Sequence, residues 1–222
     1  ITTTAKYVPK RTLTNLDLEK MVDTSDEWIQ SRTGIKERRL VEKGQATSDL
    51  ATLIANQLLI KSGKSALDIE VIIIATSTPD MLVVSTAALV QNKIGATNAW
   101  GFDLSGACTG FIFALETGTK FIESTAYKNV MVIGVDTMSS IIDYKDRNTC
   151  VIFGDGGGGV LLEPTTDKVG ILDSILHLDG SGSKFLHVPA GGSRKPASNE
   201  TVLKNQHVVY QDGKTIFKFA VK

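Results

Sequence analysis

The chain has no excess of charge of either sign. Over 222 residues, 24 Lys and Arg balance 24 Asp and Glu. No Lys/Arg block is longer than Arg38-Arg39, so the electrostatic footprint of a nucleic-acid or polyanion binder is missing. Long apolar runs are missing as well. The longest charge-free stretches, Met81–Asn92 and Leu104–Leu115, are twelve residues each. A bilayer-spanning helix needs about 20. Cysteine is scarce: Cys108 and Cys150 cannot build a disulfide framework and lack the C-x-x-C spacing of a zinc site. The three histidines, His177, His187 and His207, show no metal-ligand spacing. What is present is 42% hydrophobic and 22% charged residues, close to the globular average, in a chain long enough to bury a full core. These features lead us to expect a neutral cytoplasmic protein with reduced thiols, and neither nucleic acid nor membrane as a partner.

Strand-like and helix-like segments alternate through the first two-thirds of the chain. Ile1-Thr2-Thr3-Thr4-Ala5 reads as a strand entered partway along. Thr24 to Glu27 fits a capping box opening a helix that Gly34 stops. Thr47-Ser48-Asp49 starts a longer helix with Leu50, Leu53, Ile54 and Leu58 on its apolar face, ended by Gly63. Val71–Ala75 and Val130–Val135 are continuous apolar runs, the pattern of strands covered on both faces. Ser85 opens a helix over Thr86–Ile94, ended by Gly95. Ala99–Leu104 reads as a strand and Thr109–Ile122 as a helix offering Phe113, Leu115 and Phe121 to the core. Cys150–Phe153 and Gly159–Leu162 read as strands around a glycine turn. Val169–Leu178 and Val202–Gln211 also read as strands, and Asp179–Asn199 as a surface loop. The pattern predicts an α/β fold with a largely parallel, helix-covered sheet. Asp212 is a candidate N-cap for a final helix whose stripe, Ile216, Phe217, Ala220 and Val221, runs to the chain end without a stop signal. We therefore expect the N-terminal part of a longer polypeptide, or a chain trimmed to its ordered portion.

The sharpest chemical feature is Phe102-Asp103-Leu104-Ser105-Gly106-Ala107-Cys108-Thr109-Gly110-Phe111. A strand ends, a small-residue turn follows, and a helix begins with Cys108 at the junction. Gly106-x-Cys108-x-Gly110 has the form of a nucleophile elbow with Cys in place of Ser. A thiol there sits near the positive end of a helix dipole, which favours thiolate, and small neighbours admit a substrate carbonyl. Buried structural cysteines are commoner, and Cys150, in a strand-like run, fits that description. Gly154-Asp155-Gly156-Gly157-Gly158-Gly159 matches G-x-G-x-x-G in form. A dinucleotide site needs a helix next, whereas Val160-Leu161-Leu162-Glu163-Pro164 is strand-like, so a tight turn is the better account. Gly63-Lys64-Ser65 lacks the upstream glycine of a P-loop, having Leu58 there. Trp28 and Arg32, four apart on one helix, share a face and could stack on and pair with a nucleotide-bearing substrate; simple packing of Trp on an Arg stem is the plainer account. Arg147 could be a second anion contact, or one member of a solvated charge cluster.

Asp26-Glu27-Trp28-Ile29-x-x-Arg32-Thr33-Gly34-Ile35-x-Glu37-Arg38, then Cys108-Thr109-Gly110-Phe111, then Ile152-Phe153-Gly154-Asp155-Gly156, resemble the β-ketoacyl-acyl-carrier-protein synthase III family, condensing enzymes of the thiolase superfamily. The resemblance implies a thiolase-like layered α/β fold. Residues 1–163 would be the N-terminal half with the nucleophile, and 164–222 the connecting region and beginning of the C-terminal half. It implies a homodimer in which Cys108 takes a short acyl group from an acyl-CoA. That group is then condensed with malonyl-acyl carrier protein, with loss of carbon dioxide. Coenzyme A thioester is a substrate, and no cofactor is implied. By position, Trp28, Arg32 and Arg147 match residues that bracket the coenzyme A adenine and phosphates, and Phe153 matches a wall of the active-site tunnel. Val83, in Met81-Leu82-Val83-Val84-Ser85, stands in the acyl-pocket segment that reaches into the partner's pocket. This segment often carries an aromatic residue and a Pro in the family. The smaller Val83 leads us to expect a starter longer or more branched than acetyl. The family's His-Gln-Ala-Asn stretch, its catalytic Asn and its oxyanion-hole glycine do not occur in this sequence, and none of the three histidines matches them. We thus expect this chain alone to be inactive in condensation. Two other readings stay open: a cysteine hydrolase with a nucleophile elbow, and a condensing-enzyme half used only for binding.

Overall fold

A computed structural model describes every residue except Lys168, Val221 and Lys222, together with all side chains but that of Ala220. In chain order the elements are β1 (Thr3–Tyr7), β2 (Arg11–Thr14), α1 (Asn15–Glu19), α2 (Asp26–Thr33), β3 (Glu37–Leu40), α3 (Thr47–Ser62), β4 (Val71–Ala75), α4 (Thr86–Ile94), β5 (Trp100–Leu104), α5 (Gly110–Glu123), β6 (Val130–Thr137), β7 (Asp155–Leu162), β8 (Leu186–His187), α6 (Asn199–Leu203), β9 (Tyr210–Gln211) and α7 (Gly213–Ala220). They form two compact units, each assembled from separate stretches of chain. The first holds Ile1–Arg11, Leu40–Thr137 and Asp155–Leu176; the second holds Thr12–Arg39, Met138–Gly154 and His177–Lys222. Residue 163 falls inside the first unit.

The first unit is built on a five-stranded sheet in the order β1-β7-β6-β4-β5. β4 pairs in parallel with both β5 and β6, while β7 runs antiparallel to β6 and to β1. The sheet is therefore mixed, with β7 the one reversed strand, rather than largely parallel as expected. Both faces are buried, which explains the unbroken apolar runs of β4 and β6. Ile72, Ile74, Met131 and Ile133 meet Leu50, Ala51, Ile54, Ala55 and Leu58 of α3 and Ala87 and Val90 of α4. The alternate residues, Val71, Ile73, Val130 and Val132, pack with Ala114, Phe111, Leu115 and Phe121 of α5 on the other face. Leu53, expected on the buried face of α3, is instead 39% exposed; alanines occupy the inner line and let α3 lie close.

That closeness accounts for the glycine run. Gly156 to Gly159 is not a turn between two strands but the middle of β7. A Cβ at Gly157 would lie 2.7 Å from the Gly134 carbonyl oxygen and 2.9 Å from Ile54, and one at Gly159 2.9 Å from Ile133 and 3.0 Å from Ile54. The glycines make room for α3 over the strand.

Four further expectations also fail. Cys150–Phe153 is a turn, not a strand: the Cys150 N–H donates to the Asp146 carbonyl at 3.0 Å, and Ile152 N–H to that of Thr149 at 3.0 Å. The Arg38 guanidinium takes up the Val151 carbonyl, so no ladder partner is needed. Val169–Leu178 pairs with no strand among the described residues; its apolar side chains Val169, Leu172, Ile175 and Leu178 recur every third residue and are exposed. Val202–Gln211 is split, because Ser198 caps α6 through the Thr201 N–H at 3.2 Å, leaving only Tyr210–Gln211 to pair with β8. Helix α2 is capped by Ser25, which accepts the Trp28 N–H at 3.1 Å, and not by Thr24. The final helix lies where expected, and Val221 of its stripe lies outside the described residues.

The second unit has its own core of Leu18, Ile29, Ile142, Cys150, Val151 and Val209. Arg38 is buried beside it, donating to the Val151 carbonyl and to Asn15 Oδ1, and burial draws its pKa below the ordinary arginine value.

Replacing Gly159 by Ala should overpack the α3–β7 contact and cost about 1–3 kcal/mol. Gly158→Ala, whose Cβ would meet only the Ala5 carbonyl oxygen at 3.4 Å, should be nearly neutral. Urea denaturation midpoints of the two variants check this, and equal midpoints would refute the close-packing account.

Candidate active site

β5 ends at Leu104, and two residues later the chain turns sharply at Gly106. A Cβ on Gly106 would fall 2.9 Å from the Gly110 Cα and 3.1 Å from the Phe113 ring, so this turn closes only with glycine. Ala107 follows in the left-handed region with φ 46°. For an alanine that conformation costs about 1–2 kcal/mol, the kind of local strain that persists only where packing enforces it. A single 3-10 turn, Ala107–Thr109, carries Cys108 into the first residue of α5. The Cys108 side chain is exposed. Thr109 does not cap α5 with its hydroxyl, which donates back to the Gly106 carbonyl at 2.9 Å. The thiol thus stands at the N-terminal end of a 14-residue helix whose first turn has no side-chain cap. The left-handed Ala107 was not singled out in the sequence, although a Gly-Ala-Cys turn between strand and helix is where such strain is found.

Cys150 differs in every respect. It is fully buried in the core of the second unit. Burial, with Asp146 adding to it, pushes the Cys150 thiol above its ordinary pKa, and the nearby Arg38 only partly opposes this. A buried, protonated thiol is inert.

Val83 also lies in the first unit, in the loop between β4 and α4. It is fully exposed and has φ 79°, a genuine outlier for a β-branched residue. Its neighbours Met81, Leu82 and Val84 are exposed as well.

The remaining predicted site residues belong to the second unit. Trp28 and Arg32 project from α2 one turn apart, both exposed. The guanidinium carbon of Arg147 sits 4.7 Å from the Trp28 ring centroid, so it is Arg147, rather than Arg32, that covers this ring. Arg147 also lies 3.6 Å from Asp23, an exposed pair that contributes little stability. Phe153 is half-buried against the cluster that holds Cys150. The histidines have ordinary roles: His207 shares a hydrogen bond with Thr201 at 2.9 Å, His187 packs 5.4 Å from Tyr210, and His177 is exposed.

This arrangement can be set beside known proteins. A family model described as 3-oxoacyl-[acyl-carrier-protein] synthase III matches residues 102–180, which begin on β5 and include the Cys108 turn. A β-ketoacyl-[acyl-carrier-protein] synthase III of Koribacter versatilis is 56% identical over the whole of this chain and 67% of its own length. That of Chlorobium phaeovibrioides is 57% identical, over 68% of its length. Among solved structures, 3-oxoacyl-[acyl-carrier-protein] synthase III from Aquifex aeolicus superposes with a TM-score of 0.87 at 42% identity, covering 99% of this chain and 66% of that one. The chain therefore spans about two-thirds of the length of these relatives, and its sheet-and-helix layers are those of the thiolase-like fold. With the fold, the Cys108 turn and the whole-chain identity in agreement, the chain belongs to the β-ketoacyl-acyl-carrier-protein synthase III family of condensing acyltransferases.

Proposed function

We propose that Cys108 is the acyl acceptor of the initiating condensation of fatty-acid synthesis. The exposed thiol at the head of α5, behind the left-handed Ala107, carries this reading. The Cys108 thiolate attacks the thioester carbonyl of an acyl-CoA; the carbon–sulfur bond to coenzyme A breaks, and its thiolate departs with the electron pair. The Cys108 backbone N–H is the oxyanion donor this chain supplies. Decarboxylation of malonyl-acyl carrier protein then provides the carbanion that takes the acyl group and frees Cys108. The His and Asn that assist this second step in the family are not in this sequence, so it needs more than the present 222 residues.

Trp28, Arg32 and Arg147 bind the adenine and phosphates of coenzyme A in this reading. An exposed indole with a guanidinium over its face offers stacking and anion pairing together. Phe153 lines the substrate tunnel and Val83 the acyl pocket. Residues 1–163 and 164–222 belong to successive halves of the complete protein. The protein works in the cytoplasm as a homodimer, without a cofactor; its two unpaired cysteines and the exposed apolar loop Met81–Val84 support the location and the dimer respectively. A hydrolase using the same elbow gives Trp28 and Arg147 no task.

Incubation with acetyl-CoA should add an acetyl group to the Cys108 peptide, observable by mass spectrometry and absent in Cys108→Ala. Iodoacetamide should label Cys108 and leave Cys150 untouched in the native protein. No adduct on folded full-length protein would overturn the assignment. Trp28→Ala should raise the KM for acyl-CoA roughly tenfold, the equivalent of about 1.4 kcal/mol of stacking, with little change in kcat. In competition between acetyl-CoA and a branched acyl-CoA, Val83→Phe should shift acylation toward acetyl; a wild type strict for acetyl would refute the spacious-pocket reading.

A further inference from the structure

The ten residues Thr76–Ser85 join β4 to α4 with no regular structure. Both ends are fastened by carboxylates. At the start, Asp136 Oδ1 on β6 accepts from Thr76 Oγ1 at 3.1 Å, the Ser77 N–H at 2.7 Å and Thr78 Oγ1 at 2.9 Å. Asp80 then reaches the head of α3, accepting from the Ser48 N–H at 2.8 Å and Ser48 Oγ at 2.6 Å. Lys93 of α4 donates to the same Ser48 Oγ at 2.6 Å and to Asp49 at 2.6 Å. Beyond the loop, Asp103 of β5 accepts the Thr86 N–H at 2.6 Å and the Ala87 N–H at 2.8 Å, filling the first turn of α4. Between these fastenings Met81–Val84 make no hydrogen bond among the described residues, yet Val83 stands in the left-handed region. A β-branched residue does not choose that conformation locally; the placement of its flanks imposes it.

We propose that Asp80 and Asp103 are positioning residues: they clamp the two ends of Met81–Val84 and, through Val83, set which acyl group Cys108 of the partner subunit accepts. The inference rests on the reading of Val83 as an acyl-pocket residue. Asp103 lies on β5, so the loop that reaches toward the partner's pocket is fastened to the central sheet of its own protomer. Asp103→Asn would turn an amide NH2 toward a backbone N–H and lose one of the two bonds; Asp80→Ala frees Ser48, and Ser48→Ala removes one donor while keeping the carboxylate.

The test uses full-length protein in two parallel measurements. Chymotrypsin cleavage after Leu82 reads the clamp without reference to acylation, and should quicken about tenfold in Asp80→Ala and less in Ser48→Ala. Competition between acetyl-CoA and isobutyryl-CoA for Cys108, read by peptide mass, should change the ratio of adducts at least about fivefold in Asp80→Ala and Asp103→Asn. The rate of Cys108 alkylation by iodoacetamide should stay near wild type. A merely structural role would slow both acylations alike and leave the ratio fixed, and that result overturns the proposal. Unchanged cleavage overturns the clamp itself. If wild-type Cys108 forms no adduct with either thioester, the acyl-acceptor reading fails and the selectivity claim with it, while the cleavage rates still decide whether the carboxylates hold the loop.

Discussion

The site depends on how closely α5 approaches the sheet. Small residues at the contact allow it. A Cβ at Gly118 would lie 2.9 Å from Leu162 and 3.0 Å from Val132, and Phe111 occupies the space over Gly134, where a Cβ would meet its ring at 3.0 Å. Interiors are packed too tightly to absorb such additions, so the helix has essentially one height above β6. Cys108 stands two residues before its first turn. The position of the thiol is therefore set by Gly118 in the middle of α5 and Gly134 under Phe111 as much as by its immediate neighbours.

Strand direction does the rest. β4, β5 and β6 are parallel, and their registers align Ala75 with Leu104 and with Gly134. The chain thus leaves β4 into the Val83 loop and β5 into the Cys108 turn at the same edge of the sheet. Ligands of open α/β sheets gather beyond the carboxyl ends of parallel strands for this reason. The reversed strand β7 lies on the other side of β6 and leaves that edge undisturbed.

Much of this was legible in the sequence because the signals were local. β4 and β6 declared themselves by unbroken apolar runs, and α3 and α4 by the glycines that close them, Gly63 and Gly95, both with positive φ. Cys108 was legible from the chemistry of a small-residue turn ahead of an apolar helix. Two of the failures share a cause: what decided them was a distant partner. Gly156 to Gly159 look like a turn in isolation and are a strand because β1 and β6 pair with them, while Ile54 comes close over Gly157 and Gly159. Cys150–Phe153 looks like a strand and is a turn because Arg38, more than 100 residues away, takes its carbonyl. The cation–π contact of Arg147 with Trp28 was equally out of reach, since the two residues lie on separate stretches of the second unit.

The two thiols show how far such context reaches into chemistry. Both are cysteines beside short polar residues, and neither carries a disulfide. Cys150 is enclosed by Leu18, Ile29 and Val151, so its charged form would have to be buried; the protein resists that. Cys108 has solvent before it and the uncapped end of α5 behind it. Asp80 and Asp103 each accept backbone N–H groups at a helix start. Both carboxylates hold backbone in place.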